Sequence, residues 1–479
     1  MSRINTNIPS LVAQRVLGNN SAMLNQSLNR LSTGLRINSG KDDPAGLIAS
    51  ETLRSENTAI NSALTNITRA NNVIATAEGG LGEVNSLLTS LEDLVDRSSN
   101  EAGISTEERN ANQLQIDAIL ASIDRFANTT EFQGKHLLNG ELAYNTSGVN
   151  SANLVGLQVN SAIVPAGEAR PVTVEITASA QVATVNYTGG TLASASVTVQ
   201  VTGNLGSQVF TFASGTTTTD IAAAINTSKA QTGVSASVIG SAGNLSLYST
   251  GFGTSQYVTV GVLDDAGNQM DASSLSSGSG GFGKDYGRNA SVMINGSAAI
   301  TDGLTASMRT STLSLDVNLT QAFNKPGTTS FDIIGGGANF MISPTVTAGG
   351  IASLGIPSVS TGSLGKSGVG FLSELATGQK NALATGNYAT AQNIVRDAEQ
   401  QVAFLRGRLG AFQSSTLDPT QNSLQVTLEN TTAAQSTIRD TDFASETANL
   451  TRAQVLVQSA TATLKLANSA PQTALSLLQ

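Results

Sequence analysis

The chain of 479 residues contains no cysteine, no tryptophan and one histidine. The lack of cysteine excludes a disulfide framework and a zinc site built on cysteine. His136 alone makes no histidine-rich metal site, and a Ser-His-Asp triad would have to use it. No acid or nucleophile lies at a readable spacing from His136, so we expect it in a turn. The sequence therefore predicts a protein that is not an enzyme, with no catalytic, cofactor-binding or metal-binding residue.

Charged residues make up 12% of the chain and aromatic residues 4%, and the formal net charge is −9. An acidic chain without clustered Lys and Arg argues against binding to nucleic acid. No apolar run of about 18 residues is present, so we expect no membrane span. The first residues lack the apolar region of a secretory signal peptide. This suits a cytosolic protein, and equally a chain that is exported unfolded by a route that reads no such signal.

Both ends of the chain carry apolar residues at helical spacing. The C-terminal stripe has the three/four alternation of a coiled-coil seam and comprises Leu450, Ala453, Val457, Ala460, Leu464 and Ala467. The N-terminal stripe comprises Ile4, Ile8, Leu11, Leu24, Leu28, Leu31 and Leu35. A single amphipathic helix is marginal in water, so each stripe needs a partner. We predict that the two ends pair with each other and then with other copies of the chain; the alternative is the core of a monomeric bundle.

The helical pattern breaks at capping and proline signals. One helix is predicted over residues 3–37, and a second starts where Asp43 can cap and Pro44 can occupy the first turn. Ser105 opens a capping box before a third helix. Pro419 should break or kink a later helix, and Pro471 ends the last apolar stripe.

The middle of the chain is poor in charge and rich in Ser, Thr, Gly and Val with period-two alternation, which indicates strands. One short helix is expected near Asp220, and residues 273–287 resemble a linker. The predicted fold class is α+β, with a long helical coiled-coil or bundle body formed by both termini and inserted β-rich domains. The predicted domains are a terminal helix at 1–42, helical halves at 43–150 and 361–438, β-rich segments at 151–272 and 273–360, and a terminal helix at 439–479.

Two weaker motifs favour plain interpretations. Gly278, Gly280, Gly281 and Gly283 loosely resemble a nucleotide loop, but no suitable strand precedes them, so a flexible linker is favoured. The acidic pairs Asp42-Asp43 and Asp440-Thr441-Asp442 lie at helix boundaries, where capping explains them better than a calcium site.

Specific motifs at the two ends resemble bacterial flagellin. They are Asn5-Thr6-Asn7, the run from Leu28 to Ser39, the run from Lys41 to Gly46, the run from Ile438 to Glu446, and Leu450-Thr451-Arg452-Ala453-Gln454. The resemblance covers about the first 145 and the last 115 residues. A weaker one, from Gly206 to Val234, is to a small β motif of flagellins and hook-associated proteins.

This resemblance implies a structural subunit of the flagellar filament. In that family the terminal helices line an inner tube, the helical body forms an outer tube, and the middle projects outward. The resemblance also implies unfolded export by the flagellar type III machinery, an export chaperone, a filament cap, hook-associated partner proteins and an extracellular location. The alternative is a hook–filament junction protein, which shares such terminal helices. The middle segments carry no catalytic set, which argues against an enzyme carried on a filament. An adhesin built on these segments is compatible with filament formation.

Three positions bear on recognition by the animal innate receptor. Ser90 and Gln115 stand where many recognised flagellins have Arg and Glu, whereas Leu94 is retained. Two lost charge-assisted contacts, each worth about 1.5–3 kcal/mol, predict weak receptor activation. Phe443 stands where Tyr is frequent, so a hydroxyl contact is expected to be missing.

Overall fold

The computed structural model describes residues 6–100, 103–164, 168–188, 196–240, 244–265, 275–277, 283–310, 312–366 and 368–476. The α-helices of this part of the chain are α1 (Ile8–Thr33), α2 (Pro44–Ser98), α3 (Thr106–Thr129), α4 (Thr218–Thr227), α5 (Lys229–Thr232), α6 (Tyr388–Phe412), α7 (Asp418–Arg439) and α8 (Phe443–Ser476). The predicted α+β class, with helical termini and β-sheets in the middle, is confirmed.

The strands are short and occupy the middle of the chain. The first thirteen are β1 (Glu131–Phe132), β2 (Lys135–His136), β3 (Tyr144–Ser147), β4 (Leu154–Ala162), β5 (Arg170–Ala178), β6 (Thr184–Tyr187), β7 (Val197–Gly203), β8 (Ser207–Phe212), β9 (Val234–Ile239), β10 (Asn244–Ser249), β11 (Tyr257–Asp265), β12 (Leu275–Ser277) and β13 (Lys284–Tyr286). The others are β14 (Ser291–Ile294), β15 (Ser297–Ala298), β16 (Ile300–Asp302), β17 (Thr305–Arg309), β18 (Leu313–Leu319), β19 (Gly327–Gly336), β20 (Ala338–Met341), β21 (Ile351–Leu354), β22 (Gly365–Lys366) and β23 (Gly370–Phe371).

The chain divides into two compact units. The terminal unit comprises Met1–Ala70, Met341–Gly350 and Ser414–Gln479, and the central unit comprises Asn71–Phe340 and Ile351–Gln413. Helix α2 contributes its first part to the terminal unit and the remainder to the central unit.

Local sequence explains where the helices of the terminal unit begin and end. The Asn7 side chain accepts a hydrogen bond from the Ser10 N–H, and Pro9 lies in the first turn of α1. Gly34 ends α1 with φ of 72°, a left-handed conformation that suits glycine. The predicted helix over 3–37 was therefore too long at its C-terminal end, and residues 1–5 lie outside the described residues. At the start of α2 the Asp43 carboxylate accepts from the Gly46 N–H at 2.9 Å, as its capping pattern predicted.

The chain stays helical through both prolines. Residues 413–417 form a π-helical segment directly before α7, so the disruption predicted at Pro419 takes the form of a changed hydrogen-bond pattern and not of a break. Helix α8 continues through Pro471 to Ser476. Proline removes one N–H donor from the helix, and a side chain described below donates to the carbonyl left without it.

Helices α2, α3 and α6 each bury an apolar face in the central unit. Ile74, Leu81, Leu88 and Leu91 of α2 are fully buried at the predicted spacing, and the nearby Gly79-Gly80 pair does not interrupt the helix. Ser105 caps α3 by accepting from the Glu108 N–H, as predicted. Ion pairs join α2 to α6, from Glu92 to Arg396 at 2.9 Å and from Glu78 to Arg406 at 3.7 Å.

The segment between β21 and α6 is held by side chains of α3. The Asp124 carboxylate accepts from the N–H and the hydroxyl of Thr361, both at 2.8 Å. The Asp117 carboxylate accepts from the N–H and hydroxyl of Thr377 in the same way, at 2.9 and 2.5 Å. Buried Gln113 accepts from the Leu383 N–H. Outside the short β22–β23 pair, side chains of α3 thus satisfy the irregular backbone of this segment.

The β strands form two modules within the central unit, each a pair of four- or five-stranded sheets. The first module, from residues 144–180 and 288–336, has sheets of order β15-β14-β5-β19-β3 and β16-β17-β18-β4 around one shared core. The second module, residues 183–286, has sheets of order β12-β6-β10-β9 and β13-β11-β7-β8, with α4 in its core. The short helix predicted near Asp220 is present as α4, capped by Thr217.

The division predicted at residues 272 and 273 does not separate these two cores. Strands β4 and β5 precede that point and pair with β18, β14 and β19, which follow it. Lys284–Tyr286, predicted as linker, pairs with β11. The glycine-rich stretch at 278–281 lies outside the described residues. The pattern revealed strands, but pairing between distant strands leaves no mark on local periodicity.

One buried cation joins α6 to the first module. The Arg408 Nη2 donates to the carbonyl oxygens of Asn160, in β4, and Gly355, both at 3.0 Å. Burial is the main cause that lowers the pKa of Arg408 to about 10.

Candidate assembly surface

Helices α1 and α8 pack against each other along the terminal unit, and three contacts fix their direction. The Asn7 Nδ2 donates to the Ala467 carbonyl at 2.8 Å, and the Asn20 Nδ2 donates to the Leu456 carbonyl at 3.2 Å. At the other end the Arg30 guanidinium lies 3.6 Å from the Glu446 carboxylate. Positions rise along α1 as they fall along α8, so the pair is antiparallel.

The predicted C-terminal stripe faces α1. Ala453 and Ala460 are 4% and 7% exposed, and the other members of the stripe are half-buried: Leu450, Val457, Leu464 and Ala467. Glu446 extends the same three/four spacing by one position and is also buried. These side chains are therefore covered by the partner helix within the same chain.

The face of α1 that meets α8 differs from the predicted leucine stripe. It comprises Ser10, Ala13, Leu17, Asn20, Leu24, Ser27 and Leu31, again at alternating spacings of three and four. Leu24 and Leu31 of the predicted set belong to it, while Leu35 lies beyond the helix end and Ile4 lies outside the described residues. Ala13, Asn20 and Ser27 recur every seven residues and mark this seam in the sequence, whereas the leucine positions alone do not.

The remaining apolar side chains of the pair point to solvent. Ile8 and Leu11 of the predicted set are each 59% exposed, and Leu28 is 47% exposed. Seven more exposed apolar residues lie outside the predicted stripes: Val12, Val16, Met23, Phe443, Val455, Leu456 and Leu466. We call these ten residues the assembly surface. Four of them, Ile8, Val12, Val16 and Leu456, border one groove, and apolar side chains grouped in this way mark an interaction site in soluble proteins.

Part of the assembly surface borders an open groove of about 540 Å³ between α1 and α8. Ile8, Val12 and Val16 form one wall, and Leu456 lies on the other beside Ser459 and Thr463. The small side chains of Ala13 and Ala460 form part of the lining. The groove is mainly apolar and open to solvent, so it can accept apolar side chains from another surface.

Backbone pairing closes the end of the pair where α1 stops. Leu35 forms an antiparallel bridge with Asp440, the Arg36 N–H donates to the Arg439 carbonyl at 2.7 Å, and the Thr441 N–H donates to the Gly34 carbonyl at 2.9 Å. The extended conformation that follows Gly34 makes this bridge possible. We call this end of the pair the base, and the Asn7 end the open end.

The acidic pairs cap turns and helices, as predicted. The Asp42 carboxylate accepts from the N–H groups of Asn38 and Ser39, and the Ser39 N–H is the main reason that the pKa of Asp42 is lowered. Asp442 accepts from the Ala444 N–H at the start of α8. Across the described residues there is no group of three or more acidic or histidine side chains that could hold a metal ion.

The positions that the sequence predicts to bear on receptor recognition lie on α2 and α3. Ser90 and Gln115 are exposed, and the Ser90 hydroxyl donates to the Ser86 carbonyl at 3.0 Å. Leu94 is only 6% exposed. Two uncharged side chains thus stand on this surface.

Comparisons with known proteins match both helical ends. The family described as "Bacterial flagellin N-terminal helical region" matches residues 4–143, and "Bacterial flagellin C-terminal helical region" matches residues 392–478. The B-type flagellin of Pseudomonas aeruginosa is 30% identical over 99% of each chain. The chain belongs to the flagellin family. Flagellin B of Vibrio cholerae is 27% identical, also over 99% of each chain, and the "Flagellin hook IN motif" matches residues 196–251 in the second module.

Family membership confirms the predicted function as a structural subunit of the flagellar filament, which lies outside the cell. Among solved structures, the flagellar hook associated protein-3 from Legionella pneumophila is 14% identical over 81% of this chain and 98% of that chain, with a TM-score of 0.31. A likeness that weak supports no argument, so nothing favours the hook–filament junction alternative. None of the helices in the described ranges is long and apolar enough to cross a bilayer.

Proposed function

We propose that copies of this chain polymerise through the assembly surface of the α1·α8 pair. The observation that carries the proposal is that the pair already satisfies its own seam and still exposes ten apolar side chains. Those side chains lower the free energy only if another surface covers them. A second copy of the chain presents the same exposed apolar side chains, and these fit the groove between α1 and α8.

In this proposal residues 1–42 and 439–479 form the core of the polymer, residues 43–150 and 361–438 form its helical body, and the two β modules face outward. The apolar rows must stay covered before assembly, which favours an export chaperone on the C-terminal helix and export in an unfolded state without a cleaved signal peptide. A filament cap and hook-associated proteins would receive the same terminal helices at the two ends of the polymer.

A pair of charge substitutions tests the proposal. Val12→Glu and Leu456→Glu place a carboxylate on each wall of the groove without touching the seam. We expect each to raise the critical concentration for polymerisation at least tenfold, since a buried unpaired charge costs several kcal/mol. Gln14→Glu and Gln458→Glu are matched controls at exposed polar positions on the same helices.

Filament yield is measured by sedimentation and electron microscopy of the purified chain. Wild-type filaments at unchanged critical concentration in both groove variants would contradict the proposal. Removing residues 1–37 or 440–479 should abolish polymers while leaving a soluble, partly folded chain, because one helix of the pair is then lost.

A further inference from the structure

The apolar seam of the α1·α8 pair does not by itself define one alignment. Along α8 the seam repeats every seven residues, with Leu or Val alternating with Ala. If α8 moved by one repeat, about 10 Å along its axis, nearly the same apolar contacts would form. The alignment must therefore come from contacts that do not repeat.

At the base, the non-repeating contacts are the Leu35–Asp440 bridge and the pairing of Arg30 with Glu446, the one acidic side chain of α8. The open end lies more than twenty residues away along α1. There the non-repeating features of α8 are Asn468, whose Oδ1 accepts from the Ser10 hydroxyl, and Pro471. The cysteine pair described below replaces the first contact, which leaves Pro471.

Pro471 has no N–H, so it cannot donate to the carbonyl four residues earlier in the helix, which belongs to Ala467. The Asn7 Nδ2 donates to this carbonyl at 2.8 Å. The same side chain uses its Oδ1 to accept from the Ser10 N–H at 3.1 Å, which caps α1. One amide thus completes the hydrogen bonding of both helices.

We propose that Asn7 is the positioning residue that sets the alignment of the open end, and that Pro471 is what makes Ala467 its target. In an alignment shifted by one repeat, Asn7 would face the carbonyl of Ala460, which already accepts from Leu464 within the helix. The native alignment places Ile8 and Val12 opposite the groove wall of α8. The inference rests on the proposed function, because it concerns how the assembly surface is formed.

The test is a cycle of four chains: wild type, Asn7→Ser, Pro471→Ala and the double variant. Serine keeps the helix cap but cannot reach across as a donor, whereas Pro471→Ala restores the missing N–H. The absence of cysteine allows a direct readout of alignment. Each chain also carries Ser10→Cys with Asn468→Cys, since the Ser10 Oγ lies 2.7 Å from the Asn468 Oδ1.

In the chain with Pro471, we expect Asn7→Ser to slow disulfide formation about fivefold, the effect of one ordinary hydrogen bond. In the Pro471→Ala background the same change should have an effect of less than about twofold, because the carbonyl already has a donor. Asn19→Ser, an exposed asparagine of α1, is the matched control and should change nothing. The critical concentration for polymerisation is measured in parallel on the four chains without cysteine and should follow the same pattern.

Equal effects of Asn7→Ser in both backgrounds would overturn the inference, since Asn7 would then act only as a cap. The inference would also be overturned if the chain with Ser10→Cys and Asn468→Cys formed its disulfide no faster than a chain with Ser10→Cys and Ser459→Cys. If the unmodified chain forms no polymer, the proposed function fails, and the disulfide cycle still decides the inference on alignment.

Discussion

Replacing Arg408 by Met removes the buried guanidinium that joins α6 to the first β module. The methionine stem fills most of the same volume, so the change isolates the charge and its two hydrogen bonds. Arg406→Met is the matched control, because Arg406 lies on the same helix and its 3.7 Å ion pair with Glu78 is partly exposed.

The expected loss of stability is the difference between the gain from the hydrogen bonds of Arg408 and the cost of burying its charge. The fall in the pKa of Arg408 to about 10, of which burial is the main cause, corresponds to a cost of about 3 kcal/mol for the charged form. Two hydrogen bonds from a charged donor to the carbonyls of Asn160 and Gly355 contribute about 3–6 kcal/mol together. The Asn160 carbonyl also accepts from the Gly355 N–H at 2.8 Å, so chiefly the Gly355 carbonyl loses its donor in the variant. We expect a net loss of about 2 kcal/mol for Arg408→Met and below about 1 kcal/mol for the exposed control.

Amide hydrogen exchange is the suitable assay, because a chain with two compact units has no single free energy of unfolding. Protection should fall at the Gly355 N–H and along β4, whose backbone the guanidinium contacts. A loss no larger than that of Arg406→Met would refute the reasoning. Increased protection would show that the burial cost exceeds the value of the hydrogen bonds.

Three further predictions concern other sites. The lowered pKa of Asp42 means that its stabilising contribution is present above its ordinary value of 3.8 and is lost as the pH falls through the lower folded value; a carboxyl NMR titration midpoint at or above 3.8 would contradict this. Asp124→Asn replaces one of the two carboxylate oxygens that accept from Thr361 by an NH₂ donor and should cost about 1–2 kcal/mol of local stability, measured as faster exchange of the Thr361 N–H. Unchanged protection of this N–H would show that Asp124 does not hold the segment. The purified chain should activate the animal innate receptor weakly, and Ser90→Arg with Gln115→Glu should raise potency at least tenfold in a cell reporter assay; full potency of the unmodified chain would disprove the expectation.

Local signals predicted the helices well. The caps at Asp43 and Ser105, the π-helical segment before Pro419 and the seam of α8 all follow from residues within a few positions of one another, where short-range sterics and hydrogen bonds decide the outcome. The helix content of the termini and the β content of the middle followed from the same patterns.

Features that depend on distant residues could not be read in this way. The leucine stripe of α1 suggested the wrong contact face, because polar Asn20 and Ser27 lie in the seam opposite a partner more than 400 residues away. The Asn7 side chain donates to the Ala467 carbonyl, which Pro471 leaves without a helical donor, and sequence spacing does not reveal that contact. The role of the predicted terminal residues in polymerisation stays a prediction, now centred on Ile8, Val12 and their exposed neighbours.

The second β module is entered and left at one place. Gln181 and Arg288 form an antiparallel bridge, with the Gln181 N–H donating to the Arg288 carbonyl at 2.8 Å and the reverse bond at 2.9 Å. The two chain crossings are therefore only about 5.5 Å apart, a gap that a two-residue turn closes. The second module can therefore be exchanged, enlarged or lost in evolution without a change in the connections of the first module. The same entry point offers a graft site where a foreign domain whose termini lie close together could be displayed in many copies.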